Sequence, residues 1–551
     1  MIRPICALFA ATLATAAVTA VGPAGQQSTR ATIAPAAHGG PLFKTSDDCM
    51  ACHNSLVTPS GEDVSIGASW RASMMANSSR DPYWQASVRR ETMDHPRAVR
   101  KIQDECSVCH MPLAHTQARA DGRQGEVFSH LPIGRHNGRE NLFAYDGVSC
   151  TICHQITDRN FGARASFTGG YAIEPGTMFG PFAIDKGLTT VMHSSSQSRP
   201  LEAAHIRQSE LCATCHTLIT EALGPDGAVI GELPEQVMYL EWRHSAFRGE
   251  QKTCQSCHMP AVDEEMPIAS VLGQPRKGLA RHVFVGGNAF MLRMLNRYRR
   301  ELGVVALPHE LAASIARTSA SLTSSTAAVS IDRVDVADGR LAVDVTVRNL
   351  TGHKLPTGYP SRRAWLHLVV RDRGGRAVFE SGALGEGGRV QGNANDADAT
   401  TFEPHYTEIR RGDQVQIYES IMGDLLGAPT TGLLKGVRYL KDNRLLPRGF
   451  DKASADVTIA AIGDAAEDTD FTGGTDRVRY SIPAVGDAPY TVDVELRFQA
   501  IGFRWADNLK AYDAPEPRTF LRYYEAMSSS SSEVLARAAA STAVAISPAF
   551  R

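Results

Sequence analysis

Ten of the eleven cysteines fall into five identical spacings: Cys49 and Cys52, Cys106 and Cys109, Cys150 and Cys153, Cys212 and Cys215, and Cys254 and Cys257. A histidine follows each pair at once: His53, His110, His154, His216 and His258. C-x-x-C-H is the attachment pattern of c-type haem. Two thiols add to the two vinyl groups of one porphyrin, and the adjacent imidazole binds the iron as its proximal ligand. Other uses of paired cysteines fit less well. Zinc ribbons set two C-x-x-C units roughly 15 to 20 residues apart and need no histidine after each. A thioredoxin-like pair occurs once, on a βαβ unit. Disulfides are common in exported chains, but this pattern leaves no cysteine for one. The expectation is five covalent haems c, with the ten cysteines as attachment points and the five histidines on iron.

A low-spin electron-transfer haem also takes a second strong axial ligand, usually His or Met. Eighteen histidines less the five proximal ones leave thirteen. His282 ranks first, because it closely follows the last motif and Gly286-Gly287 lets the backbone approach a macrocycle. His193 and His205 precede the fourth motif by 19 and 7 residues and are expected on neighbouring irons. His115 follows His110 across Met111-Pro112, and is read either as a ligand to a neighbouring haem or as a hydrogen-bond donor to a propionate. His353 lies far downstream in Asn349-Leu350-Thr351-Gly352-His353-Lys354-Leu355-Pro356, where glycine and proline shape the loop. It is expected to reach back to a haem. His95, His130, His136 and His244 stay in reserve, while His309, His367 and His405 read as ordinary surface or strand residues. Met74-Met75 offers a thioether near the first motif, with core packing the competing reading. Met111 and Met259 read as packing residues. Asn393 to Asp398 is a carboxylate-rich loop whose oxygens would suit calcium, but it lacks the EF-hand spacing and reads better as a solvated turn.

These residues need elements to hold them. Residues 46–290 contain all five motifs in sequence rich in Gly, Pro, Asn and Ser. Such a stretch buries too little side chain to fold alone, so macrocycles must supply much of its core. Helices are expected over 68–78, 81–104, 232–248 and 288–325. The second half changes period. Leu341 to Val347 alternates, residues 365–371 and 376–380 read as a hairpin, and further strands are expected at 414–419, 437–440, 478–482 and 490–498. The fold class is therefore α+β: a mostly helical, loop-rich multihaem domain (46–325) followed by a β-sandwich (326–505). Residues 506–551 are expected to be a helical segment and tail, with Ser528 to Ser532 as a helix start or a floppy surface element.

Composition bounds the rest. The chain has 551 residues, 43% hydrophobic and 21% charged, too long for one core. Its net charge of -2 carries no basic excess, so no nucleic-acid partner is expected. Residues 1–24 read as a secretory signal: Arg3, an Ala-rich apolar run, and a small-residue cleavage site near Ala20 or Ala24. Cys6 would leave with it, and 25–45 forms a flexible lead-in. No later apolar run nears the roughly 18 to 20 residues that span a bilayer. The mature chain is expected in the periplasm or outside the cell, soluble or peripherally associated with a membrane or surface.

The stretches SWRASMMANSSRDPYWQA, DECSVCHMP, SELCATCHTL, TCQSCHMP and RHVFVGGN resemble exported multihaem cytochromes c of the c-552/c-554 group. NLTGHKLPTGYPSRRAWLH resembles the β-domain that follows the haems in many of them. The resemblance covers about residues 46–527 and implies electron transfer outside the cytoplasmic membrane with redox proteins as partners. It also favours His353 as a ligand. The expected function is an exported pentahaem carrier. The alternative is a multihaem reductase or oxidase of a small nitrogen or sulfur compound with one open iron. Pentahaem nitrite reductases replace one motif histidine by lysine, whereas all five motifs here end in histidine. A docking or filament subunit is a third reading.

Overall fold

The computed structural model describes residues 40–184 and 186–542. The expected signal sequence lies outside the described residues, as does most of the lead-in. Up to residue 325 the described chain is mostly short helices joined by long loops, with two two-stranded ribbons among them. The cysteine spacing explains the helices at the motifs. Residues i, i+3 and i+4 lie on one side of a helix, so a helical C-x-x-C-H turns both thiols and the imidazole the same way. Val99–His110 and Ser209–His216 end on the second and fourth motifs, and Cys150–Gln155 and Cys254–His258 carry the third and fifth. Ser46–Met50 carries only Cys49 of the first motif.

Three long expected helices are broken, each for a local reason. Residues 81–104 form Pro82–Asp94 and Val99–His110, because Pro96 pushes His95 out of the helical region. Residues 288–325 form Ala289–Arg297 and Pro308–Ser325. Between them Gly303 takes φ +65°, and a Cβ there would lie 2.7 Å from the Ile133 carbonyl oxygen. The 232–248 segment begins as strand: Val229–Gln236 pairs antiparallel with Leu218–Leu223 across the turn Gly224-Pro225-Asp226-Gly227. Helix starts only at Met238.

The second half is built on two packed sheets, beside a smaller three-stranded sheet of Ser420–Gly423, Pro429–Thr430 and Arg438–Asp442. One runs Ala327–Ala337, Arg340–Asn349, Thr475–Pro483 and Glu408–Ile409, the last pair parallel. The other runs Ile417–Tyr418, Arg363–Arg371, Thr491–Gln499 and Ser532–Ser541, with Ala377–Ser381 paired to Arg363–Arg371. Alternate residues face inward. Val343, Val345 and Val347 from one sheet meet Leu366, Leu368, Val370, Val492, Val494 and Leu496 from the other, all fully buried. Ser532–Ser541 corrects the expected tail: the serine run makes one 3₁₀ turn and leads into a sheet strand. Alanines at 536, 538, 539 and 540 carry no apolar run long enough to reveal that strand.

The halves share a core. Ala72, Tyr83 and Ala86 from the motif region pack with Phe520, Tyr523 and Tyr524 from the C-terminal helix Pro515–Glu525. Arg89 forms a fork to Glu516 of that helix at 2.8 and 2.9 Å. No helix among the described residues is long and apolar enough to cross a membrane.

Candidate functional site

All ten motif cysteines and all five motif histidines line one continuous cavity of about 1860 Å³. That is larger than the few hundred to roughly 1,000 Å³ of an ordinary small-molecule pocket. None of the ten cysteines is in a disulfide. Their contacts set the order of the motifs in space. Cys49 lies within hydrogen-bonding reach of Cys150, Cys109 of Cys215, and Cys212 of Cys254. The charge of a Cys153 thiolate would be felt at Cys212, and that of Cys215 at Cys153. The first motif thus touches the third, and the fourth meets the second, third and fifth. Backbone bonds hold this packing: Cys254 N–H donates to Ser209 Oγ at 3.1 Å, and Gly169 N–H to Thr214 O at 2.7 Å.

Four of the five motif imidazoles are aimed. Nδ1 of His53 donates to Ile268 O at 2.6 Å, His110 to Ser78 O at 3.2 Å, His154 to Phe179 O at 2.6 Å and His258 to Val285 O at 2.5 Å. A carbonyl only accepts, so Nδ1 carries the hydrogen and Nε2 keeps its lone pair for a metal. The Trp84 indole stacks on the His110 ring, centres 4.4 Å apart and planes within 5°. Burial pushes His110 and His216 down to about 4 and lowers His154, so these rings are neutral near pH 7.

Two further imidazoles line the cavity, and both face a motif histidine. His282 and His154 have ring centres 6.4 Å apart and planes within 17°. His353 and His258 stand 6.3 Å apart with planes within 15°. Two imidazoles on opposite sides of one iron, each bonded at about 2 Å, have ring centres roughly 6 Å apart. Both rings donate from Nδ1 to a carbonyl, His282 to Ala280 at 2.9 Å and His353 to Lys354 at 2.9 Å. Burial brings each down to about 4.

The loops that carry them are anchored. Arg281 forms a fork to Glu62 at 2.9 and 2.7 Å, beside the first motif. Val285 of the same loop accepts from His258, so residues 280–287 serve two motifs. Beneath His353, the fully buried Lys354 reaches Asp442 at 2.8 Å through Nζ, and its N–H donates to Glu241 at 3.1 Å. Arg444 bridges Asp442 at 2.7 Å and Glu241 at 2.9 Å. Glu241 belongs to the helix Met238–Arg243, so this ion network joins the β-half to the motif region.

Three expected ligands are placed elsewhere. His115 does not line the cavity: its Nε2 lies 3.2 Å from Asp104 Oδ1, and a Cβ on Gly125 would lie 2.7 Å from its ring. Pro112 starts a new helix, Pro112–Ala120, which turns His115 away. His205 donates from Nε2 to Ile156 O at 2.8 Å and sits edge-on to Phe179 and Phe161. His193 is exposed on Lys186–Ser196. Of the reserves, His95 is buried outside the cavity wall, His130 bonds Asn141, His136 bonds Leu131 O, and His244 bonds Asp451 O. His309 is exposed and His367 meets Glu380. Met74, Met75 and Met259 line the cavity, while Met111 is fully buried in the surrounding core.

Two cation candidates outside the cavity are satisfied within the fold. In the Asn393–Asp398 loop, Asp396 takes a guanidinium fork from Arg363 and the N–H of Val390. His405, Asp468 and Asp476 place ligand atoms within 4.8 Å of one another. The His405 Nδ1, however, accepts from Gln416 Nε2 at 2.9 Å and Asn443 Nδ2 at 3.1 Å. Both amides are oriented by backbone N–H groups on their oxygens, from Tyr406 and Glu419. The hydrogen must therefore sit on Nε2, where it is donated to Asp468 at 3.0 Å, and no lone pair is left for a metal.

The cavity wall also carries Tyr83, Tyr359, Glu91, Glu235 and Arg362, none of them singled out in the sequence. Burial raises both glutamates.

The chain shares its fold with a penta-heme cytochrome c552 from Thermochromatium tepidum, at 17% identity and a TM-score of 0.51, over 91% of this chain and 100% of that one. No family model matches, and no curated protein matches. The fold is thus one known to be used by a multihaem cytochrome c.

Proposed function

We propose that the chain is an exported pentahaem c-type cytochrome that carries electrons along covalently bound haems. The single observation behind this reading is that ten thiols and five imidazoles, four of them aimed by an Nδ1 hydrogen bond, wall one cavity in C-x-x-C-H order. The cysteine pairs would hold the five haems, and His53, His110, His154, His216 and His258 would be the proximal ligands. His282 would complete the third motif's iron and His353 the fifth's, on the strength of the two ring spacings. When bound, the haems supply one-electron redox chemistry. The chain's part is to fix their order, their axial ligands and their exclusion from water. The thiol contacts support a branched order, with the first motif reaching the fourth through the third, and the second and fifth both meeting the fourth. Cys257 is the one exposed cysteine of the ten, which makes the fifth motif a natural face for a redox protein.

A reductase with one open iron is favoured by a separate observation. The first, second and fourth motifs face no second imidazole among the described residues. Pyridine haemochrome analysis of the matured protein should give five haems c per chain, and a count of four or fewer overturns the reading. A fully low-spin visible spectrum that does not respond to carbon monoxide fits the carrier. A high-spin band that shifts with carbon monoxide fits the reductase.

A further inference from the structure

Arg362 and Arg363 are neighbours with opposite fates. Arg363 begins the strand Arg363–Arg371 and turns into the β-half, where it forks onto Asp396 at 2.7 and 2.9 Å. Arg362 faces the cavity. Its Nη1 donates to Thr357 O at 2.7 Å, and no carboxylate pairs with it among the described residues. Glu241, under the same loop, is committed to Arg444, to the Lys354 N–H and to the Thr357 hydroxyl. Gly358, at φ +87°, makes room for the guanidinium: a Cβ there would lie 2.7 Å from Nη1. Burial alone pushes the arginine down to about 10, with no carboxylate to offset it. Its charge is felt at both His216 and His353, which places it on the wall between the fourth and fifth motifs. Arg362 is half-buried in the cavity wall, and a guanidinium placed there without a counter-ion is unfavourable, so the site is suited to an anion.

We propose that Arg362 holds a carboxylate of the attached macrocycle, a haem propionate, at the fourth or fifth motif. The assignment rests on the pentahaem reading. The planar fork of arginine matches a carboxylate, and Nη2 and Nε remain to meet it. Covalent attachment at the adjoining cysteines delivers that carboxylate to the same wall. A dissolved oxyanion offers the same chemistry, and the test separates the two.

The test uses matured holoprotein: wild type, Arg362→Gln and Arg362→Lys, each counted for haem first. A wild-type count below five overturns the pentahaem reading, while the potentials and spectra of the variants still decide the Arg362 assignment. In anion-free buffer at pH 8, Arg362→Gln should lower the reduction potential of one or two haems, because loss of a positive charge favours the oxidised state. Those potentials should also become pH-dependent as the unpaired propionate titrates, and Arg362→Lys should restore most of the shift. Unchanged potentials and pH profile in Arg362→Gln overturn the proposal. Should that variant fail to load, the propionate-bending band in resonance Raman spectra decides: a shift between wild type and Arg362→Lys supports the pairing, and identical bands overturn it. The proposal is equally overturned if sodium nitrite or phosphate moves the wild-type Soret band, Arg362→Gln loses that response, and its anion-free potentials match wild type.

Discussion

At the residue scale, the two imidazoles outside the motifs that reach the cavity each sit on a pinned loop with Nδ1 occupied. His353 meets both conditions through Lys354, and His282 through Ala280 and the Arg281–Glu62 fork. We therefore expect His353→Ala and His282→Ala each to convert one haem from low to high spin and to create one cyanide-binding site, read by magnetic circular dichroism. His115→Ala and His205→Ala should leave the spin count unchanged, because those rings are spent on Asp104 and on Ile156 O. The residues beneath His353 carry a second expectation. Burial would raise Asp442, but Arg444 and Lys354 outweigh it and hold its carboxyl down to about 2. A lowered carboxylate stabilises the fold above its ordinary value of 3.8 and loses that contribution as the pH falls towards 2. Asp442→Asn leaves two buried cations short of a partner. It should cost about 3–5 kcal/mol at neutral pH, and its stability should no longer fall from this source between pH 4 and 2. Urea titrations across that range measure both effects.

At the scale of elements, short helices and loops are held by single features rather than by length. Asp81 caps the helix Pro82–Asp94, its carboxylate accepting from the N–H groups of Tyr83 and Trp84 at 2.9 and 3.2 Å. Asp81→Ala should cost about 1 kcal/mol in denaturant unfolding and loosen Trp84 against His110. The sandwich behaves differently, since its strands bury side chains from both sheets. Leu368 is fully buried at its centre, and Leu368→Ala should cost about 2–5 kcal/mol. The haem spectrum should be retained in that variant as long as it stays folded. The break at Gly303 is a third local device: its positive φ and its approach to Ile133 O leave no place for a side chain.

For the whole molecule, the motif region and the β-half act as one body. Tyr83 and Ala86 pack on the C-terminal helix, Glu241 bonds to Arg444 across the divide, and His353 faces His258. A truncation after residue 325 removes the apolar partner, the ion network and an expected axial ligand together. The truncated chain should be recovered aggregated or rapidly proteolysed, and any soluble fraction should contain a high-spin haem. A well-folded, fully low-spin truncated protein, seen by size-exclusion chromatography and visible spectra, would show that the β-half only docks.

Much of the site was written in the chain, because covalent attachment needs fixed residue types at fixed local spacing. C-x-x-C-H is read from five consecutive residues, and the alternation of Leu341 to Val347 and of 490–498 is equally local. That information gives the α+β class and most of the sandwich strands, and it is the source of the proposed cofactor type and proximal ligands. Tertiary structure decided what depends on residues far apart. Sequence proximity could not show that Pro112 turns His115 away, that His205 is spent on Ile156 O, or that residue 353 faces residue 258. The strand Ser532–Ser541 went unseen because its alanines carry little hydrophobic contrast, and only pairing with Thr491–Gln499 defines it. Arg362 differs from Arg363 only in which side of the chain it leaves. That choice depends on Asp396, Gly358 and the cavity wall, and so on the fold as a whole.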